Sequence, residues 1–252
     1  LCNIYNHICQ KKKIEEKDGY VTFIKQLNEC FNDLKKTPPN YRSTRSDIIE
    51  GDSRKTNLPD NYFDFAFTSP PYLNNYDYAD RTRLESYFMG YVNSWGEISD
   101  KIRTKLMMSA TTQVTRSKFN VDNIISQILK DINYNVAVDL QEKVSKLEII
   151  RREKGGKKSY DIMVGQYFND MTESLLDTYR VMKEGAKYLL ILGDSAPYGV
   201  HIPTETYIGE IGLGIGFKEY HIRELRKRGD KWKGNPQRHH VPLRESILIL
   251  EK

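Results

Sequence analysis

A short apolar strand that runs straight into a small polar residue, two prolines and an aromatic is a place where a planar group can be held. Phe65-Ala66-Phe67-Thr68 reads as the end of a buried strand, and Ser69-Pro70-Pro71-Tyr72 follows without a break. In open α/β sheets, ligands bind at the carboxyl ends of the strands. Paired prolines fix φ and remove two backbone donors, so the local carbonyls face outward as stiff acceptors. Acceptors beside a flat ring suit a flat group with N–H donors, and an exocyclic amino group on a nucleobase meets both needs. The lone pair of that nitrogen is delocalised into the base, so methyl transfer to it requires acceptors that hold the amino protons while the nitrogen becomes tetrahedral. The Ser69 hydroxyl and the Pro70 carbonyl can supply them, an electrostatic and orientational form of catalysis. Tyr72 would stack on a base taken out of the duplex.

These residues need elements to position them. Asp47-Ile48-Ile49-Glu50-Gly51-Asp52 reads as a short strand ending in a turn, and 63–68 as a second, buried one. From Tyr167 to Met182, Met171, Leu175, Leu176 and Tyr179 lie on one helical face, and Lys183-Glu184-Gly185 supplies a stop. A buried strand from Tyr188 to Leu192 closes at Gly193-Asp194-Ser195, and a helix runs from about Thr204 to Leu213. Two strands, Lys218 to Leu225 and Glu245 to Leu250, are joined by a basic loop and are expected to pair antiparallel. Strands alternating with helices predict an α/β sheet. Residues 1–45 form a helical lead, with Val21, Phe23, Ile24, Leu27, Cys30, Phe31 and Leu34 on one stripe. Residues 80–159 read as a helical insertion for target recognition or partner docking, leaving 46–79 and 160–252 as the catalytic domain.

Composition narrows the classes. The 252 residues carry 39 Lys plus Arg against 34 Asp plus Glu, a net charge of +5, which permits a polyanionic partner without demonstrating one. With 38% hydrophobic residues there is material for a core, but no apolar run long enough to cross a bilayer, so no membrane partner is expected. Cys2, Cys9 and Cys30 are an odd set with no signal-peptide pattern ahead of them, which fits a reducing, cytoplasmic setting. Cys2, His7 and Cys9 lack the paired spacing of a metal site, so no metal is expected. The chain starts at Leu1 rather than Met, which keeps open a fragment or a processed product.

Thr68-Ser69-Pro70-Pro71-Tyr72 resembles motif IV of the amino-group DNA methyltransferases. Ile48 to Arg54, Tyr167 to Met171, Arg180 to Gly185, Gly193-Asp194-Ser195 and Arg244 to Leu248 occur in the order which that family shows. The resemblance implies a Rossmann-like sheet that binds S-adenosylmethionine and a flipped base in double-stranded DNA, as in prokaryotic restriction-modification systems. Ser69, Pro70, Pro71 and Tyr72 would be catalytic, and Asp52, Ser53 and Thr68 would line the cofactor. Serine in the first place resembles the N4-cytosine branch; adenine N6 is the alternative, as is a non-catalytic DNA-binding specificity subunit. Cytosine C5 methylation needs a cysteine nucleophile, and no cysteine follows Cys30. RNA or protein-amide acceptors are a further reading of the same pocket, while no clustered carboxylates with a nearby lysine suggest a nuclease.

Basic charge near the pocket comes from Arg226, Lys227, Arg228, Lys231, Lys233 and Arg238, assigned to DNA phosphates; a solvated hairpin loop would look similar. Gly212, Gly214 and Gly216 spell GxGxG, but they follow a helix and no strand precedes them, so a helix stop is expected there instead of a cofactor loop. The family's FxGxG loop is missing: the first 45 residues hold only Gly19. This predicts an incomplete sheet and the catalytic half of a split enzyme, with a second polypeptide supplying the cofactor loop.

Overall fold

The computed structural model describes residues 19–38, 45–156, 158–228 and 241–252. They fall into two units, one of 1–50 with 80–98 and one of 51–79 with 99–252. In the first, helix α1 (Gly19–Lys36) follows the expected apolar stripe, yet none of its residues is buried. Helix α2 (Arg83–Phe88) lies in the same unit, and beyond it Ser94 caps the turn Trp95–Glu97 by accepting from the Glu97 amide.

The second unit is mixed α/β. Its sheet contains β1 (Phe63–Thr68), β2 (Met182–Gly193), β3 (Glu219–Arg228) and β4 (Leu243–Glu251), in the order β1-β2-β4-β3. β1 and β2 are parallel, and β4 runs antiparallel to both β2 and β3, as the sequence predicts for the last pair. Helices α3 (Gln127–Ile132), α4 (Tyr134–Glu153), α5 (Tyr160–Val181) and α6 (Thr204–Ile215) complete it. Ser126 and Asn133 start α3 and α4 by accepting from the Leu129 and Val136 amides, so each helix begins where a short polar side chain can replace a missing backbone acceptor.

Period explains the core. On β2 and β4 the fully buried residues alternate, Leu190 and Leu192 against Leu248 and Leu250. On α5, Tyr167, Phe168, Met171 and Leu175 recur at helical spacing, joined by Leu140, Val144 and Leu147 of α4 and by Ile208 and Ile211 of α6 in one hydrophobic cluster. Lys252, only 5% exposed, donates from Nζ to the carbonyls of Tyr179 and Met182 and to Asn61, tying the end of β4 to the end of α5.

Three expectations differ. β1 is expected as a buried strand, yet Phe65 and Phe67 on one of its faces are exposed, because no described strand or helix packs over them. Residues 48–51 form no strand: Ile48 and Ile49 are exposed, and Asp52 makes only an isolated bridge to Lys55. Two β-branched residues do not hold an extended segment without a partner strand. Lys183-Glu184-Gly185 does not end a helix from within. α5 stops at Val181 and these residues open β2, where the Gly185 amide donates to the Lys252 carbonyl. Gly216, with φ of 129°, is the expected helix stop.

Candidate active site

β1 delivers the Ser-Pro-Pro-Tyr segment to the carboxyl edge of the sheet. Thr68, its last residue, pairs with Leu190 of β2. Ser69 is then exposed, Pro70 buried, and Pro71 and Tyr72 half-buried, while Leu73 is 2% exposed and anchors the segment in the core. The rigid turn therefore has a fixed foot and an open hydroxyl.

Tyr72 reaches sideways over the end of β2, and Gly193 makes the crossing possible. A Cβ on Gly193 would lie 3.1 Å from Tyr72 Cδ2 and collide with Arg228 Nη1. Beyond Gly193, the Tyr72 hydroxyl donates to Glu245 Oε1 at 2.8 Å. Glu245 sits opposite Gly193 on one side and opposite Arg226 on the other. Arg226 donates from Nε to Oε2 at 2.5 Å and from Nη2 to Oε1 at 3.3 Å. One row of residues, Tyr72, Gly193, Glu245 and Arg226, thus crosses the sheet from the end of β1 to β3. The guanidinium of Arg226 holds the Glu245 carboxyl below its usual range, against the opposing effect of burial. Burial and the Glu245 bond push the Tyr72 phenol up, partly opposed by the Ser69 hydroxyl and Arg228.

Arg228, two residues along β3 and on the same face as Arg226, turns back across the row. Its guanidinium lies 5.3 Å from the Tyr72 ring centroid, and Nη1 donates to the Asp194 carbonyl at 3.2 Å. Lys227 is exposed in the same strand. Lys231, Lys233 and Arg238 lie outside the described residues.

Behind this row is a buried acidic pair. Asp194 and Glu205 are 4% and 1% exposed, and Asp194 Oδ1 and Glu205 Oε2 have no donor among the described residues. Two acceptors in mutual contact are satisfied by one shared proton. Burial and Glu205 push Asp194 up to about 8. Glu205 goes the other way: burial raises it, but the hydrogen bond from protonated Asp194 and the Arg244 guanidinium bring it below its usual value. His201 Nε2 stands 3.1 Å from Asp194 Oδ2, and Arg244 donates to Glu205 Oε1 at 2.5 Å.

The residues expected to line a cofactor sit apart from this row in their bonding. Asp52 is chelated by Arg54, with Nε 3.0 Å from Oδ1 and Nη2 2.7 Å from Oδ2, and that bond lowers its pKa. Arg54 also reaches Asp170 of α5 at 3.1 Å. Ser53 Oγ is 3.7 Å from Met107 Sδ, and Thr68 is half-buried at the end of β1. Among the described residues no group of three His, Cys, Asp or Glu could hold a metal ion, and no helix is long and apolar enough to cross a membrane.

The chain aligns with the type II methyltransferase M.BsoBI of Geobacillus stearothermophilus at 28% identity, over 80% of this chain and 41% of that protein. With M.AvaI of Nostoc sp. identity is 29% over 76% and 39%, and with M.MvaI of Kocuria varians 22% over 85% and 42%. The chain is a distant relative of type II methyltransferases. It spans about two fifths of the length of the relatives it matches. No family model matches it, and no solved structure matches significantly.

Sequence reasoning singled out the Ser-Pro-Pro-Tyr turn but missed Glu245 and the role of Gly193. An acidic residue at the start of an otherwise apolar strand, Glu245 before Ile247-Leu248-Ile249-Leu250, is the signal that marks a carboxylate turned toward partners. No sequence signal shows that Gly193 faces Tyr72.

Proposed function

We propose that this chain carries the base-accepting half of a DNA methyltransferase of the restriction-modification type, acting on the exocyclic amino group of a flipped base, with cytosine N4 preferred over adenine N6. One observation carries the reading: the exposed Ser69 hydroxyl and the Tyr72 ring stand together at the carboxyl edge of the sheet, on a turn anchored by buried Pro70 and Leu73. The distant relationship to type II methyltransferases supports it. Ser69 Oγ and the Pro70 carbonyl hold the two amino protons, Tyr72 stacks on the base, and Arg226 with Glu245 keeps the Tyr72 ring in place. Lys227 and Arg228 of β3, together with Lys231, Lys233 and Arg238, meet duplex phosphates.

S-adenosylmethionine is the methyl donor that the resemblance implies, and when bound it supplies an electrophilic methyl on a sulfonium. The described residues make only part of a site for it. Thr68 and Ser53 are open to it, but the Asp52 carboxylate is occupied by Arg54. Among the described residues β1 pairs with β2 alone, and Phe65 and Phe67 stand 55% and 60% exposed. That open edge and bare apolar face fit the strands and helix of a Gly-rich cofactor unit. We place that unit outside these residues, on a second polypeptide. The 80–159 stretch is assigned to target recognition or to docking of that partner.

The test is methyl transfer from labelled S-adenosylmethionine to duplex DNA, by the chain alone and with a polypeptide carrying the FxGxG loop. Transfer is expected only from the mixture, with label in N4-methylcytosine. Tight donor binding and methylation by this chain alone would sink the divided arrangement, and label in N6-methyladenine would move the target base. Label entering only RNA or protein would overturn DNA as substrate.

A further inference from the structure

We infer that Arg228 occupies the place of the target base on Tyr72 when no DNA is bound, and exchanges that place for a backbone phosphate as the base enters. The inference rests on the base-accepting reading above. A guanidinium is flat, stacks on aromatic faces and donates in its own plane, which are the properties of a base edge bearing an amino group. Arg228 uses each of them here. It lies 5.3 Å over the Tyr72 ring, donates from Nη1 to the Asp194 carbonyl at 3.2 Å, and fills the space that Gly193 leaves by having no side chain.

Its neighbour shows the contrast. Arg226 is held by two bonds to Glu245, a commitment to the scaffold. Among the described residues Arg228 has no carboxylate within ion-pair distance; one carbonyl bond, one ring face and a longer-range attraction to Glu245 hold it, a weaker hold than the paired bonds of Arg226. The register shift between Glu224 and Arg226 is a bulge immediately before the pair, of the kind that re-aims side chains at functional edges. A resident cation on the ring serves two ends: it covers an apolar face that would otherwise lie open, and it releases a positive charge toward the strand just when a base is extruded.

The experiment uses the whole chain and a single-stranded oligodeoxynucleotide with one fluorescent cytosine analogue, whose emission is quenched on an aromatic ring. In Arg228→Ala, quenching at saturating protein should rise about threefold over wild type, while the slope of log affinity against log salt falls by about one because a phosphate contact is lost. Arg228→Lys keeps the positive charge but loses the flat group that lies over the ring, so quenching should rise with the salt slope unchanged; this variant also decides the matter if Arg228→Ala does not fold. Quenching at or below the wild-type level in both variants overturns the exchange. A wild-type chain that binds no oligonucleotide at low salt overturns the DNA reading itself, a result distinct from binding without a change in quenching.

Discussion

At the scale of single residues, the row from Tyr72 to Arg226 separates two roles that one aromatic can play. In the proposed function the ring face contacts a base, while the hydroxyl fixes the ring through Glu245. Tyr72→Phe keeps the face and loses the tether, so methyl transfer in the complete enzyme should fall about tenfold, the scale of one hydrogen bond. Tyr72→Ala loses the face too and should fall about a hundredfold, as base stacking adds 1–3 kcal/mol. Ser69→Ala, which removes the acceptor proposed for the amino group, belongs with the larger effect. Single-turnover rates with melting curves as a fold control check the order; equal losses in the Phe and Ala variants would refute the separation.

Residue chemistry also sets a pH dependence. Asp194 is lifted to about 8 by burial and by Glu205, far above the unfolded value of about 3.9. Between those two values the folded chain holds a proton that the unfolded chain has lost, so stability is fully present below about 4 and declines as pH rises toward about 8. The groups facing the pair are His201, itself lowered by burial, and Arg244, with Lys143 acting on His201 and Glu224 on Arg244 at longer range. Asp194→Asn keeps a donor toward Glu205 without a titrating proton. Its melting temperature should vary less than wild type between pH 5 and pH 8 and lie above it at the alkaline end. Parallel curves for the two proteins would show that the pair shares no proton.

At the scale of elements, α6 shows what the GxGxG spacing is for. A Cβ at Gly212 would lie 2.7 Å from Leu250 Cδ2, the movable tip of a side chain, whereas one at Gly214 would run into the backbone carbonyl of Ile132. Alanine normally favours a helix over glycine by about 1 kcal/mol, so the two substitutions should part company. Gly212→Ala should change stability little, while Gly214→Ala should cost about 1–3 kcal/mol through forced separation of α6 from α3. Urea denaturation of both variants measures the difference, and equal midpoints would contradict it. The sequence is legible here to the extent that local period carries information. The antiparallel pairing of β3 with β4, the apolar face of α5 and the stop at Gly216 all follow from spacing and turn chemistry. The Ile48-Ile49 strand fails because strand formation depends on a neighbour that no local pattern reports. Asp194 with Glu205, and Tyr72 with Glu245, fail for a related reason: each pair is brought together by tertiary packing across elements, and charge spacing along the chain does not encode it.

At the scale of the molecule, the sheet is finished on one side only. β3 closes one end with a charged, exposed strand, where Arg, Lys and Glu blunt further pairing. β1 leaves the other end open, with Phe65 and Phe67 exposed on one face and Ala66 turned toward the core on the opposite face. Bare aromatics on a two-sided sheet mark a surface meant to be covered. Covering what is still exposed of the two phenylalanines contributes about 2–3 kcal/mol to an association, sufficient to make the joined state dominant at micromolar concentrations only when backbone pairing along β1 adds to it. The double variant Phe65→Lys, Phe67→Lys separates folding from assembly. Both side chains are exposed, so the chain alone should melt within a few degrees of wild type. Co-purification with the polypeptide bearing the Gly-rich loop, and methyl transfer by the mixture, should be lost together. Full methyl transfer by the mixture with the double variant would place the cofactor unit elsewhere on the molecule, and a collapse of the melting temperature would show that β1 is already covered from within.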